Sequence, residues 1–223
     1  MDREQVVAAA AALVPPPGGR FLLGIAGAPG AGKSTLAVRV VATLCERLGP
    51  NAAAYVPMDG FHLSNAQLDR LGLASRKGSA PSFDVWGYVA LLRRLRAAVP
   101  GEPVYVPDYD RTLHDPVAAR HLVAPETRLI VTEGNYLAAG AAGGPGWSEV
   151  REQLDALWFL AVPDAVRDAR LLARQRAGGL DAAAARAWVD TNDDPNGELV
   201  KAHVGPDVRV VTVDADDSTS ARG

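Results

Sequence analysis

Short apolar runs alternate with longer stretches of helical period along most of this chain. Phe21–Ala26 (FLLGIA), Ala53–Pro57, Leu129–Thr132, Ala156–Val162 and Val208–Val213 are too short for helices and predict five strands. Between them, Leu36, Val40, Val41, Leu44 and Leu48 recur at helical spacing over Lys33–Leu48, and Gly49-Pro50 stops that helix. Val85, Val89, Leu92 and Leu95 form a second stripe behind Asp84, a good N-cap. Ser64–Leu71 predicts a short helix closed by Gly72, and Val6–Val14 one ended by Pro15–Gly19. Pro163-Asp164 opens an arginine-rich helix that Gly178-Gly179 ends; Asp181 and Asp194-Pro195 open two more. Pro103–Pro107 reads as briefly extended, Asp108–Pro116 as a polar loop and Ala138–Gly146 as a surface loop. Strands alternating with helices imply an α/β fold with a parallel sheet covered on both faces.

Charge narrows the function classes. The net charge is −3, with no basic excess of the kind nucleic-acid binders carry. A single cysteine, Cys45, rules out an intramolecular disulfide and fits a reduced, cytoplasmic setting. The Val6–Val14 run is too short to span a bilayer, and Asp2 and Glu4 flank it with the wrong charge for a signal peptide. No nucleic-acid or membrane partner is expected, and a homodimer stays open. Only Lys33, Lys77 and Lys201 are lysines; the other basic residues are arginines, a bias that reflects genome composition.

The most specific signal is Gly27-Ala28-Pro29-Gly30-Ala31-Gly32-Lys33-Ser34, which matches G-x-x-x-x-G-K-[ST] between a strand and a helix and runs on into Thr35. The glycines let main-chain amides turn around phosphates, and the helix that follows points its positive end at them. Lys33 would neutralise the β/γ oxygens of ATP, and the Ser34 hydroxyl would bind Mg²⁺. Carboxylates for the metal and for an attacking hydroxyl belong at the carboxyl ends of the strands. Asp59 follows the second strand and Glu133 ends the third. Glu133 would lie near the metal, and Asp59 would accept the acceptor's proton. Each also fits a bland reading as a loop-entry or capping acid.

Two further groups have functional and structural readings side by side. Arg167, Arg170 and Arg174 share one helix face, with Arg176 near the end. They would either close over a transferring phosphoryl group or form a solvated stripe paired with Asp164 and Asp168. Tyr109, Asp110, Arg111 and His114 make a dense polar-aromatic loop suited to a small polar ligand. His62 and His114 fit no zinc spacing.

Four stretches together resemble the P-loop kinases grouped with uridine kinase, phosphoribulokinase and bacterial pantothenate kinase. They are GIAGAPGAGKST (Gly24–Thr35), MDGFH (Met58–His62), PDYDRTLH (Pro107–His114) and VTEGNYL (Val131–Leu137). The resemblance implies a P-loop NTPase three-layer fold with a five-stranded parallel sheet in the order 2-3-1-4-5 and a helical lid. No linker demands a second domain, so a single kinase domain is expected over residues 1–213, with a polar, flexible tail over 214–223. Asp59 would be the catalytic aspartate, Glu133 the strand-end glutamate, and Arg170 and Arg174 the lid arginines. Asp59, His62, Asp84, Tyr109, Arg111 and His114 would meet the acceptor. Asp59 is followed by Gly-Phe-His rather than Ser-Phe-Tyr, and the uridine-kinase lid run R-D-x-x-x-R-G-R is missing. The MDGFH form and Asp194-Pro195-Asn196 look closer to a bacterial branch labelled nucleoside/nucleotide kinase-like or fructose-transport-associated kinase. The expected activity is transfer of the γ-phosphoryl group of ATP, with Mg²⁺, to a hydroxyl of a nucleoside- or sugar-like metabolite. The alternative is a nucleotide-gated regulatory ATPase acting on a protein partner.

Overall fold

Asp2 begins the first helix, α1 (Arg3–Ala11), by a reciprocal cap: its carboxylate accepts from the Gln5 amide at 2.8 Å, and the Gln5 side chain accepts from the Asp2 amide at 3.1 Å. The computed structural model describes residues 2–97 and 99–213. The expected tail over 214–223 lies outside the described residues. The chain continues through β1 (Phe21–Ala26), α2 (Lys33–Leu48), β2 (Ala53–Pro57), a 3₁₀ turn (Met58–Phe61), α3 (Asn65–Leu71) and α4 (Val85–Ala97). Next come β3 (Val104–Asp110), β4 (Asp115–Val123), β5 (Leu129–Glu133), α5 (Trp147–Glu152) and β6 (Ala156–Ala161). Then α6 (Asp164–Ala177), α7 (Ala182–Trp188), one turn of π-helix (Val189–Asp193), α8 (Asp194–Ala202) and β7 (Arg209–Thr212) complete it.

Five strands form a parallel sheet in the order β2-β5-β1-β6-β7. Counted within this sheet alone, that is the expected 2-3-1-4-5; the chain-wide numbers differ because the β3–β4 hairpin intervenes. Alternate residues face opposite layers, so two apolar cores form. Leu22, Val56, Ile130 and Phe159 pack with Tyr88, Leu92, Trp147 and Val200 from α4, α5 and α8. Leu23, Ile25, Leu129, Val131 and Leu160 pack with α1 and α2 through Val6, Ala10, Leu36, Val40 and Leu44. All five residues of β5 are buried, as a strand covered on both faces requires.

Register sets the site. Glu133 stands opposite Ile25 on one side and Pro57 on the other. The carboxyl ends of β1, β2 and β5 therefore finish level. The order reverses at β1, and the crevice beyond such a switch point is where open α/β sheets bind ligands.

The region read as a polar loop over Asp108–Pro116 differs. It lies in an antiparallel hairpin, β3–β4, separate from the main sheet, with a register irregularity between Val106 and Asp108. The sequence did not mark β4 because most of its residues are exposed or half-buried, so no apolar alternation appears. The Ala138–Gly146 stretch is likewise more ordered than a surface loop: 3₁₀ turns over Asn135–Ala138 and Gly140–Gly143 lead into α5. The helices expected at Asp181 and Asp194 run together through the π turn. Among the described residues, no helix is long and apolar enough to cross a membrane.

Candidate active site

The turn from β1 into α2 is held from both sides. Gly30 has φ +78°, and a Cβ there would sit 3.0 Å from the Arg167 carbonyl and from Leu171 Cγ of α6. Only glycine combines that backbone with that closeness. No side chain caps the start of α2 at Gly32, so its first amides have no side-chain acceptor. Free amides at a helix start make an anion site.

Lys33 is buried (8% exposed) and donates to the Ala28 carbonyl at 3.2 Å and to Asn135 Oδ1 at 2.6 Å. Burial lowers its pKa, with Glu133 and Asp59 pulling the other way. Ser34 Oγ donates to Glu133 Oε1 at 3.0 Å, and the Tyr55 hydroxyl donates to the same oxygen at 2.8 Å. Glu133 is buried too; burial first and the Asp59 charge second raise its pKa, while Lys33 opposes them. A hydroxyl beside a carboxylate is an all-oxygen donor pair, the kind a hard cation such as Mg²⁺ takes. One residue earlier, Thr132 Oγ1 donates to the Val56 carbonyl at 2.6 Å. Its only hydrogen is then used, so Tyr88 must donate to it across their 2.5 Å contact. This buried chain ties α4 to β5 and β2 just below Glu133.

Asp59 sits in the 3₁₀ turn after β2. Its carbonyl meets His62 Nδ1 at 2.8 Å. A carbonyl only accepts, so Nδ1 carries hydrogen. Burial lowers the His62 pKa, the Asp59 charge and carbonyl oppose it, and Lys77 and Arg111 add smaller pushes downward. The His62 ring packs between Phe83, 4.1 Å away, and Tyr109, 4.8 Å away. Gly60 explains the third letter of MDGFH: a Cβ there would lie 2.3 Å from the Pro107 carbonyl oxygen and 2.9 Å from the Asp108 amide nitrogen. The turn thus lies main chain against main chain on β3. Arg111, at the hairpin tip, brings Nη2 to 3.8 Å from Asp59 Oδ2.

From above, α6 meets the phosphate loop. Arg167 is buried and donates to the Pro29 carbonyl at 2.9 Å and to Asp164 at 2.6 Å, so it anchors the loop rather than lining the cleft. Arg170 Nη1 reaches the Ala31 carbonyl at 3.2 Å. Arg174 pairs with Asp193 at 3.2 Å, and Gln175 bonds the other Asp193 oxygen. Asn192 in the π turn donates to the Lys77 carbonyl at 2.8 Å, joining this arch to the loop before α4.

These parts enclose one cleft of about 890 Å³. It is lined by Pro29, Gly30, Gly32, Lys33, Ser34 and Thr35 on one side, and by Asp59, His62, Tyr109, Arg111 and His114 on the other. Glu133, Arg170 and Arg174 also line it, so most of the sequence candidates converge, while Gly27, Ala28 and Ala31 of the phosphate loop stand outside the lining. Asp84 does not. It is exposed, it is absent from the lining, and its Oδ1 accepts from the Gly87 amide at 2.9 Å as the N-cap of α4. Sequence reasoning assigned no role to Tyr55, Asn135, Lys77 or Asn192. Asn135 stands two residues after Glu133 within the VTEGNYL stretch. The only signal for Lys77 is its being a lysine in an arginine-rich chain.

A phosphate-gripping turn at the switch point of a parallel sheet, with cleft volume to spare beyond it, defines the class as a P-loop phosphotransferase. No family model matches the chain. It is 34% identical over 196 residues to a Schizosaccharomyces pombe protein named "Putative uridine kinase C227.14", covering 85% of this chain and 82% of that one. It is 38% identical over 178 residues to Escherichia coli "Uncharacterized protein YggC", covering 77% of this chain and 69% of that one. A crystal structure titled "putative fructose transport system kinase" from Silicibacter sp. TM1040 superposes with TM-score 0.82 at 36% identity, covering 94% of this chain and 98% of that one. The chain belongs to the P-loop kinase family of uridine kinase, phosphoribulokinase and pantothenate kinase. It is a small-molecule kinase, a phosphotransferase with an alcohol group as acceptor.

Proposed function

We propose that the protein moves the γ-phosphoryl group of ATP to a hydroxyl of a nucleoside- or sugar-like metabolite. One observation carries this reading: Lys33 and Asp59 line a single cleft whose far half, around Tyr109 and His114, leaves room for an acceptor beside the phosphates. The α2 amides and Lys33 hold the polyphosphate, and Arg170 and Arg174 stabilise the transferring group from above. Ser34 and Glu133 hold Mg²⁺, which when bound neutralises charge on the phosphate oxygens. Asp59 orients the acceptor hydroxyl and takes its proton as the oxygen bonds to the γ-phosphorus. The bond from that phosphorus to the β–γ bridging oxygen breaks, and ADP leaves with the electron pair. The Asp59 carboxylate is one-third exposed (32%), so an acceptor can reach it.

The test is acceptor-dependent ADP release across nucleosides, sugars and pantothenate, with wild type beside Asp59→Asn. At least one acceptor is expected to raise ADP release. Asp59→Asn is expected to lower turnover by about 10²–10⁴-fold while ATP still binds. Near-normal turnover in Asp59→Asn would remove this residue from the role. ADP release raised by a protein partner and by no small molecule would replace the reading with the regulatory ATPase.

A further inference from the structure

The half of the cleft away from the phosphate loop has an excess of positive charge. Three carboxylates line the whole cleft: Glu133, Asp193 and Asp59. Glu133 is bound by Ser34 and Tyr55, and Asp193 by Arg174 and Gln175. Among the described residues that leaves Asp59 as the lining carboxylate without a close side-chain partner, and two cations, Lys77 and Arg111, line the cleft with it. Lys77 lies 5.1 Å from the Tyr109 ring centroid, that ring lies 4.8 Å from His62, and Arg111 reaches Asp59 at 3.8 Å, so both cations border the same Asp59–His62–Tyr109 wall. The neighbouring Asp115 is turned to the Asn65 amide at 2.8 Å and is not part of the lining.

Lys77 is fixed in place but not neutralised. Its ammonium donates to Asn65 Oδ1 and to the His114 carbonyl, each at 2.5 Å, and lies 5.1 Å from the Tyr109 ring centroid. Both acceptors are uncharged. An ammonium has three donors, so one remains for a ligand. Among the described residues Arg111 forms one ion pair, the loose 3.8 Å contact with Asp59, with the Asp108 charge acting from further off, and 63% of its side chain is exposed. Among the described residues most of its five donors have no hydrogen-bond acceptor. The residue choice at 77 points the same way. The chain has 23 basic residues and only three lysines, yet two of the three, Lys33 and Lys77, line the cleft. A lysine supplies a compact charge with rotatable donors, which the planar guanidinium cannot imitate.

We propose that the acceptor carries an anionic group, a carboxylate or a phosphate, besides the hydroxyl it presents to Asp59, and that Lys77 and Arg111 hold that group. The inference rests on the kinase reading above and narrows its substrate class. A neutral acceptor would leave Lys77 with uncharged partners and Arg111 with the loose Asp59 pairing. An anion between them gains charge-assisted hydrogen bonds from both, and its hydroxyl end is directed to the single carboxylate. Lys77 and Arg111 are then specificity-determining residues, and Tyr109, between His62 and Lys77, is the floor beneath the anion.

The experiment compares matched acceptors in the ADP-release assay: ribose with ribonate and ribose 5-phosphate, and uridine with uridine 5′-monophosphate. The expected result is kcat/KM at least about tenfold higher for an anionic member than for its neutral partner, the size of one charged hydrogen bond. The ribonate and ribose 5-phosphate arms separate a carboxylate from a phosphate. Lys77→Gln and Arg111→Gln are each expected to raise KM for the preferred anion by about 10–100-fold, with a smaller change in kcat. ATP affinity, read by calorimetry, serves as the folding control. If Lys77→Gln does not fold, Arg111→Gln, at an exposed hairpin tip, carries the test. Preference for the neutral member in every active pair overturns the anionic acceptor and leaves the kinase reading standing. Anion preference unchanged in both variants overturns the assignment to these residues. No ADP release with any acceptor, including those of the wider screen, overturns both readings.

Discussion

The two halves of the cleft are built from different material. The phosphate half is made of main-chain amides, glycines and the level ends of three buried strands. Its geometry comes from the sheet, whose level strand ends bring together residues far apart in sequence, such as Ser34 with Glu133 and Lys33 with Asn135. The acceptor half is made of side chains from a 3₁₀ turn, the loop before α4 and the tip of a hairpin outside the main sheet. Those segments are held by individual bonds such as Lys77 to His114 and Asn192 to Lys77. A site whose shape comes from backbone holds one chemistry across many proteins, whereas one assembled from loop side chains can change its ligand without disturbing the fold.

That contrast can be broken most severely at Lys33. Lys33→Ala is expected to lower kcat/KM by about 10³-fold or more and to weaken ATP binding in calorimetry, because a buried cation beside the phosphates has no substitute. Retained ATP affinity would show that the loop amides suffice. Gly60→Ala tests the other half: the new methyl meets the Pro107 main chain, so KM for the acceptor is expected to rise about tenfold or more with ATP affinity little changed. Loss of both together would mean that the halves are not separable. Tyr55→Phe is a milder probe at the boundary. It removes one bond to Glu133, so the Mg²⁺ concentration for half-maximal rate is expected to rise a few-fold, and chemical denaturation is expected to show a loss of about 1 kcal/mol.

The smallest effect is expected under the hairpin. Asp108 Oδ2 meets His121 Nε2 at 2.9 Å, and the His121 ring packs edge-on against Tyr55. Burial alone would push the Asp108 carboxyl up, but the bonds from His121 and from the Tyr109 amide outweigh it and hold the carboxyl below its ordinary value of 3.8. A depressed carboxyl contributes stability above its unfolded pKa and loses it as pH falls through the folded one. Wild type should therefore exceed Asp108→Asn in Tm at pH 5–7, and the gap should close as pH drops below about 3.8. A gap that persists at pH 2 would assign the effect to packing instead.

The fold was largely legible because buried parallel strands are written as continuous apolar runs, and β1, β2, β5 and β6 are such runs. Lys33 and Ser34 were legible because a local spacing determines them, and Glu133 because it ends an apolar strand. The hairpin was not, since β4 is mostly exposed and shows no contrast between its faces. Tyr55 was read as part of an apolar strand, and nothing local announces that its hydroxyl ends on a glutamate 78 residues away. Asp84 shows the opposite failure. Resemblance gave it an acceptor role, whereas local chemistry gave it a helix cap, and the cap is the contact it makes. Tertiary bonds between distant loops leave no period in a sequence; caps and phosphate loops do.

The bare peptide of Gly60 against Pro107 has one last consequence. Where flexible side chains cushion neighbouring segments, a small shift in one is absorbed before it reaches the next. Here nothing compressible separates the two backbones. The strand that carries the aromatic floor and the turn that carries the base behave as meshed teeth, and a molecule that nudges one necessarily turns the other.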